Sequence, residues 1–468
     1  MNELGNQLTL SGLGLNQWRK ASILGRLVGF LANWHEGSWL LQWSEAIAAL
    51  LISLVIILAP FVSNSLIGIL LLAITGFWVL LTVADSSKEG MTSIHLLVLL
   101  YWAISLVAVA FSPLKLAAFS GWVKLTLYLV MFALSARVLR SPKIRSWVMT
   151  IFLLTSLVVS AYGVRQELIG VEPLATWNDP TSVLAQDTRV YSYLGNPNLL
   201  AGYLIPAVAF SLAALLVWPS RAQKALALGM VLINCACLYF TDSRGGWLGL
   251  VVLGATFLLG LRYWWKEDLP PFWRRWLLPI IFGVFSLLIV MATLFLEPLR
   301  LRLLSIFSWR GDSSNNFRIN VWRAGLEMIG DRPLIGMGPG NEVFNQIYPN
   351  YMQTKFTALS AYSIFLEIAI ETGLIGLTCF LWLVAVTISQ GIGQLISFRQ
   401  QDNRQGLWMI ASVAALAGML THGLVDTVWY RPQINTIWWL TVAMVAGQLC
   451  TLTATHSRGE LPTSQTSP

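Results

Sequence analysis

Charge is what this sequence has least of. Only 11% of its 468 residues are Asp, Glu, Lys or Arg, against roughly 25% in soluble domains. With 56% hydrophobic residues in long, repeated runs and a mean hydropathy of +0.66, that scarcity excludes an ordinary soluble core. Cysteine is scarce as well. All four (Cys235, Cys237, Cys379, Cys450) fall inside apolar runs, which leaves no disulfide framework and no metal-ligand spacing. A Walker motif and a Gly-x-Ser-x-Gly elbow are both missing, so an ATP-driven pump is not expected. Neither a metal nor a cofactor is expected. No basic surface stands out between the runs, so the net charge of +8 reads as loop orientation and not as nucleic-acid binding.

What is present is membrane helix. Apolar runs predict about 12 spans, roughly 43–60, 65–84, 94–111, 118–139, 146–163, 198–217, 223–240, 244–262, 277–296, 373–393, 406–421 and 434–452. The 22 tryptophans suit such a chain, because Trp gathers at membrane interfaces. The expected fold is all-α, a polytopic membrane protein with one large external loop. Its parts are a cytoplasmic segment at 1–42 with a short patch that can lie in the interface, nine helices over 43–296, the external loop 297–372, three helices over 373–452 and a disordered tail at 453–468. Basic residues orient it. Arg137, Arg140, Lys143, Arg145, Arg221, Lys224, Arg399 and Arg404 fall on one set of loops, while the alternate short loops hold few. Both termini are therefore expected in the cytoplasm, and the unusual polar segments outside.

The stretch "LSAYSIFLEIAIETGLIGL" is one of these segments. Ser360, Ser363, Glu367 and Glu371 recur at helical spacing and share a face. Carboxylates beside lipid are costly, so that face is expected to look into an exterior cavity, opposite Arg244 and Arg318. Arg244 opens a helix in "DSRGGW", where amide dipoles and a guanidinium favour an anion. An interfacial arginine paired with Asp242 explains the same motif. Arg318 and Arg323 lie on a short loop helix with an apolar stripe of Phe317, Val321, Ala324 and Met328. Gly336, Gly338 and Gly340 follow it and read as a turn, not a phosphate cradle. Arg189 precedes "GNPN", in which Asn198 can cap the next helix. His422 and Asp426 are four apart, which suits either a proton relay or a capping pair.

Three segments carry a resemblance: "SRGGWLGL", the loop pattern Arg318, Trp322, Ala324 and "DRPLIGMGPG", and "YSIFLEIAIETGLIGL". In this order the chain resembles the O-antigen ligase and polymerase superfamily of membrane proteins, of the Wzy and WaaL type. The resemblance implies a GT-C-like helical bundle and a metal-independent glycosyltransferase that takes a glycan from a polyprenyl-diphosphate carrier. Arg244 and Arg318 occupy positions similar to those thought to hold the diphosphate. The family's essential histidine, in a His-Asn-x-x-Leu pattern, falls on Tyr362 and Ser363, with Leu366 matching. A tyrosine of ordinary pKa ~10 is a poor base, and Glu367 is an alternative. The "SAYSI", "LE", "ETG" and "GNPNLLAGYL" segments also resemble one branch, the cyanobacterial IctB proteins, which are described as inorganic-carbon (bicarbonate) transporters. That resemblance makes bicarbonate accumulation the leading expectation and the glycosyltransferase the alternative. On this reading Arg189, Arg244, Arg318 and Arg323 bind the anion, and Glu367, Glu371, His422 and Asp426 tune it. Membrane lipid and the subunits of a carbon-uptake assembly are the implied partners. The plasma membrane is the expected location, with the thylakoid membrane as the other choice.

Overall fold

The computed structural model describes residues 38–84, 91–170, 189–295, 313–354 and 356–458, with the single positions 10 and 300. The expected interfacial patch and the last ten residues lie outside them. Fourteen helices of seven residues or more order the described chain: α1 Ser44–Leu58, α2 Asn64–Ala84, α3 Ser93–Phe111, α4 Lys115–Val138, α5 Pro142–Ile169, α6 Pro197–Val217, α7 Arg221–Phe240, α8 Arg244–Trp264, α9 Pro271–Phe295, α10 Ser313–Asp331, α11 Asn341–Ile347, α12 Ile364–Gln400, α13 Gln405–Gly423 and α14 Pro432–Arg458. Nine of these, α2 to α8, α12 and α13, are long and apolar enough to cross a membrane. The molecule is thus an all-α polytopic membrane protein. The three remaining expected spans also fall on helices, at the 15-residue α1, at α9 and at α14. The last of these continues to Arg458, past the expected boundary at 452.

Polar residues between the runs set the helix starts. Asn196 accepts the amides of Asn198 and Leu199 at 2.8 and 3.3 Å, with Pro197 in the first helical turn of α6; both features favour initiation. Ser220 and Gln223 form a capping box on α7, and Ser243 caps α8 through the amide of Gly246. The turn before Ser243 is tight because Asp242 takes a left-handed conformation (φ 53°), which Asp tolerates better than most residues.

The centre of the bundle is α6 and α13, the two most enclosed of the candidate spans. α8 packs on α13 through backbone contact. A Cβ at Gly249 would lie 2.8 Å from the Gly418 carbonyl oxygen, and one at Gly418 2.9 Å from that of Gly249. Small residues permit this approach where apolar burial supplies no driving force between helices.

The described part of the expected external loop from 313 onward is largely helical and has its own small core. Val321, Ala324 and Met328 of the expected stripe are buried there against Phe344, Tyr348, Ala361 and Ile370. α12 explains how this layer joins the bundle. Its 37 residues would extend ~55 Å, far beyond a hydrocarbon core of ~30 Å. It breaks at Gly373 (φ 69°, ψ −175°), a conformation almost confined to glycine. The break exposes carbonyls, and the glycine turn satisfies them. Met337 N–H donates to Ile370 O at 2.7 Å and Gly338 N–H to Glu371 O at 2.9 Å, while Leu374 N–H donates to Pro333 O at 2.7 Å. Gly336, Gly338 and Gly340 all have positive φ. A Cβ on Gly336 would sit 2.6 Å from both Ile370 O and Gly373 N, and one on Gly373 would collide with the Leu334 carbonyl.

Gly373→Ala should therefore undock the 313–354 layer. The backbone strain alone is about 1–3 kcal/mol. We expect a lower melting temperature in detergent and faster proteolysis within 313–354. Unchanged values for both would show that the glycine is not needed at the break.

Candidate functional site

Five separate segments meet at one end of the bundle: the start of α6, the α7–α8 turn, the N-terminal half of α10, the 359–363 strip and the chain after α13. Three of them, the start of α6, the 359–363 strip and the chain after α13, line a cleft whose walls include Asn196, Asn198, Ser360, Tyr362, Asp426 and Tyr430. Its free volume is about 10 Å³, room for about one water molecule.

Arg318 stands outside the lining, against two residues that form it, Asp426 and Tyr362. Its Nε donates to Val425 O at 3.0 Å, and its Nη2 lies 3.6 Å from Asp426 Oδ2. Its guanidinium carbon stands 5.9 Å from the Tyr362 ring centroid. The start of α8, which carries Arg244, reaches the same strip from the other side. A Cβ at Gly245 would lie 2.8 Å from Val425 Cγ2 and 2.9 Å from His422 Cδ2. Arg189 stands behind the cleft. It donates to Thr241 O and to Asn198 Oδ1, both at 3.0 Å, and so ties the α7–α8 turn to the start of α6. Arg323 is not among these residues. It points outward, 65% exposed, and pairs with Glu327 on its own helix at 3.4 Å.

Tyr362 is held in a left-handed conformation (φ 49°), which is unusual for a bulky side chain. α10 maintains it. Trp322 Nε1 donates to Tyr362 O at 3.2 Å, and the Phe317 ring meets the Tyr362 ring edge-on at 5.5 Å. Burial raises the phenol's pKa well above its ordinary value; the Asp426 charge adds to the rise and Arg318 opposes it. The hydroxyl is therefore protonated at neutral pH and available as a donor.

The carboxylates of the 359–377 stretch do not look at the arginines. Glu367 Oε2 accepts the Ala361 amide at 2.6 Å, and Glu371 Oε1 accepts the Gly340 amide at 2.8 Å. Neither carboxylate pairs with an arginine among the described residues. The glycine turn holds Glu371, and the 359–363 strip holds Glu367. The same bonding leaves the amides of Met337, Gly338 and Gly340 committed, so the turn is structural.

His422 is fully buried, wedged between Gly202 of α6 and Gly245 of α8. Neither ring nitrogen has a hydrogen-bond partner among the described residues. The expected helical His422–Asp426 pair straddles a helix end, since α13 stops at Gly423. Asp426 lies in the following turn, where it faces Arg318. Sequence reasoning missed Asn196 and Tyr430 as cleft residues and read Asn198 only as a cap. The "GNPN" turn signal located the two asparagines but not the direction of their side chains.

The fold and the cleft define a polytopic helical membrane protein with a guanidinium, a carboxylate and a protonated phenol gathered at one end of its bundle. Residues 229–381, about a third of the chain, match the family model Wzy_C, described as O-antigen ligase. The matched segment contains Arg244, Arg318, Tyr362, Glu367 and Glu371; Arg189, His422 and Asp426 lie outside it. The match does not single out the inorganic-carbon branch. No curated protein matches the chain.

The Arg318–Asp426 contact should show as coupling. Arg318→Gln, Asp426→Asn and the double variant, compared by chemical denaturation, should give a coupling energy of about 1 kcal/mol. Additive single effects would show that the pair contributes nothing to stability.

Proposed function

We propose that the protein is a glycosyltransferase of the O-antigen ligase type, acting on a polyprenyl-diphosphate-linked glycan at the exterior face of the plasma membrane. The observation that carries this reading is the convergence of Arg318 and the Arg244 helix start on the 422–426 strip, within a chain that matches the ligase-family model over 229–381. Arg145 and Arg399 sit at the opposite end of the bundle, on Gln405 and Glu267, which supports a cytoplasmic location for that end.

In the reaction, the acceptor hydroxyl oxygen attacks the anomeric carbon of the lipid-linked sugar, and the bond from that carbon to the diphosphate oxygen breaks. The departing diphosphate gains charge, which Arg244 and Arg318 stabilise; guanidinium forks suit phosphate oxygens. The acceptor's proton needs a base. Tyr362, protonated, orients an oxygen by donating to it. Glu367 is committed to a backbone amide outside the cleft. Asp426 lines the cleft, and its carboxylate takes the proton. Buried His422 lies within electrostatic reach of both Asp426 and Arg318 and supports that role from behind.

A second reading has one observation in its favour, the small size of the cleft. A space for about one water suits a small anion such as bicarbonate better than a sugar, in a protein of inorganic-carbon accumulation.

One pair of assays separates the two. Purified protein is given a polyprenyl-diphosphate glycan and an acceptor, and sealed proteoliposomes are given labelled bicarbonate at alkaline pH. The ligase reading expects glycan transfer that falls about 10²–10³-fold in Arg318→Ala. It also expects Tyr362→His to recover activity in the Asp426→Asn background, because an imidazole is a competent base near neutral pH. Saturable bicarbonate uptake lost in Arg318→Ala, with no glycan transfer, would reverse the choice.

A further inference from the structure

A second and much larger hollow lies on the same outer layer. It measures about 440 Å³ and opens between the α3–α4 corner and the far end of α10. That volume is within the range of roughly 300–1,000 Å³ typical of small-molecule sites. Its polar lining is Asp331, Arg332, Gln346, Asn350 and Tyr351, over an apolar floor that includes Leu114 and Met337.

Two of the polar groups are fixed in place. Tyr351 O–H donates to Asp331 Oδ2 at 2.6 Å, and Arg332 Nη1 donates to Phe111 O at 2.6 Å. Each keeps further capacity, because a carboxylate has about four acceptor sites and a guanidinium five N–H donors. The side-chain amides of Gln346 and Asn350 add mixed donors and acceptors. One carboxylate and one guanidinium leave the lining without net charge. A neutral lining dense in both donors and acceptors, with a tyrosine and an apolar floor, suits a ligand whose hydroxyl groups both donate and accept and whose carbon face is apolar. A diphosphate would find too little positive charge there, and an acyl chain too much polar surface.

We propose that this groove is a saccharide subsite that holds sugars remote from the reacting end of the glycan. α10 sets the spacing. Arg318 and Asp331 lie thirteen residues apart on one helix, ~20 Å at 1.5 Å per residue, so a glycan several sugars long spans cleft and groove together. Binding energy from a remote part of a substrate can position its reacting end. The role in transfer rests on the ligase reading above, whereas saccharide binding in the groove does not. The bound sugars belong either to the lipid-linked donor or to the acceptor glycan.

The test uses the full chain in nanodiscs on an array of bacterial surface oligosaccharides, followed by titration of the strongest binder. Gln346 and Asn350 are exposed, so Gln346→Ala/Asn350→Ala should fold. It should bind that oligosaccharide about 10-fold or more weakly, while Arg323→Ala, exposed on α10, should stay within about twofold of wild type. No capture by wild type, or equal binding by the double variant, would overturn the subsite. A transfer assay then separates the sources. If the donor's sugars occupy the groove, the double variant raises KM for long donors and not for a single-sugar donor. If the acceptor's do, KM depends on acceptor length in the same way. Transfer by wild type with no length dependence on either side would remove the groove from the reaction. Oligosaccharide binding without any transfer would count against the ligase reading and leave the subsite standing.

Discussion

The outer layer depends on a broken helix and the need to satisfy its backbone. A helix interrupted at Gly373 leaves carbonyls at Ile370 and Glu371 without their normal partners, and buried peptide groups left unpaired are costly. The glycine turn after α10 supplies amides to both, while Leu374 donates back to Pro333. Three left-handed glycines bring backbone against backbone, where a Cβ on Gly336 or Gly373 would collide. This docking holds α10 above the bundle. α10 in turn places Arg318 on Val425 and Asp426 and holds the Tyr362 carbonyl through Trp322. The chemistry at the cleft thus rests on a main-chain junction that contains none of the cleft's side chains.

Much of this was legible from residue pattern. Each expected span has a helix, because hydrophobic length is a strong signal in lipid. The stripe on α10 was legible for the same reason, since period reports which residues share a face. Period does not report what that face meets. Glu367 and Glu371 share a face as expected, yet they meet amides of the 361 strip and the glycine turn, because those donors come from parts of the chain whose fold has no periodic signal. Arg323 shows the complementary failure. It is next to Trp322 in sequence, but one residue is 100° around a helix, and that turns it from the cleft to solvent. His422 and Asp426 have helical spacing, and the helix ends between them.

The two hollows of the outer layer differ in size and in where their guanidinium stands, inside the lining for Arg332 and behind it for Arg318. In the cleft, a carboxylate and a protonated phenol line a space of about 10 Å³, and the Arg318 guanidinium stands against both from outside it. Such a space admits an oxygen of a phosphate or a hydroxyl, but a sugar ring only if the walls part. Two walls come from different layers: Tyr362 is held by α10, while Asn198 is held by the bundle through Arg189. Movement of the outer layer against the bundle is therefore the motion that would widen the cleft. Arg318 crosses that boundary and resists it, since its partners lie beyond α13. On the proposed ligase reading, an arriving diphosphate competes with Asp426 for the same guanidinium. Its binding would loosen the tie that keeps the cleft closed and release the Asp426 carboxylate to act as a base. Substrate charge, opening and base activation then share one ion pair.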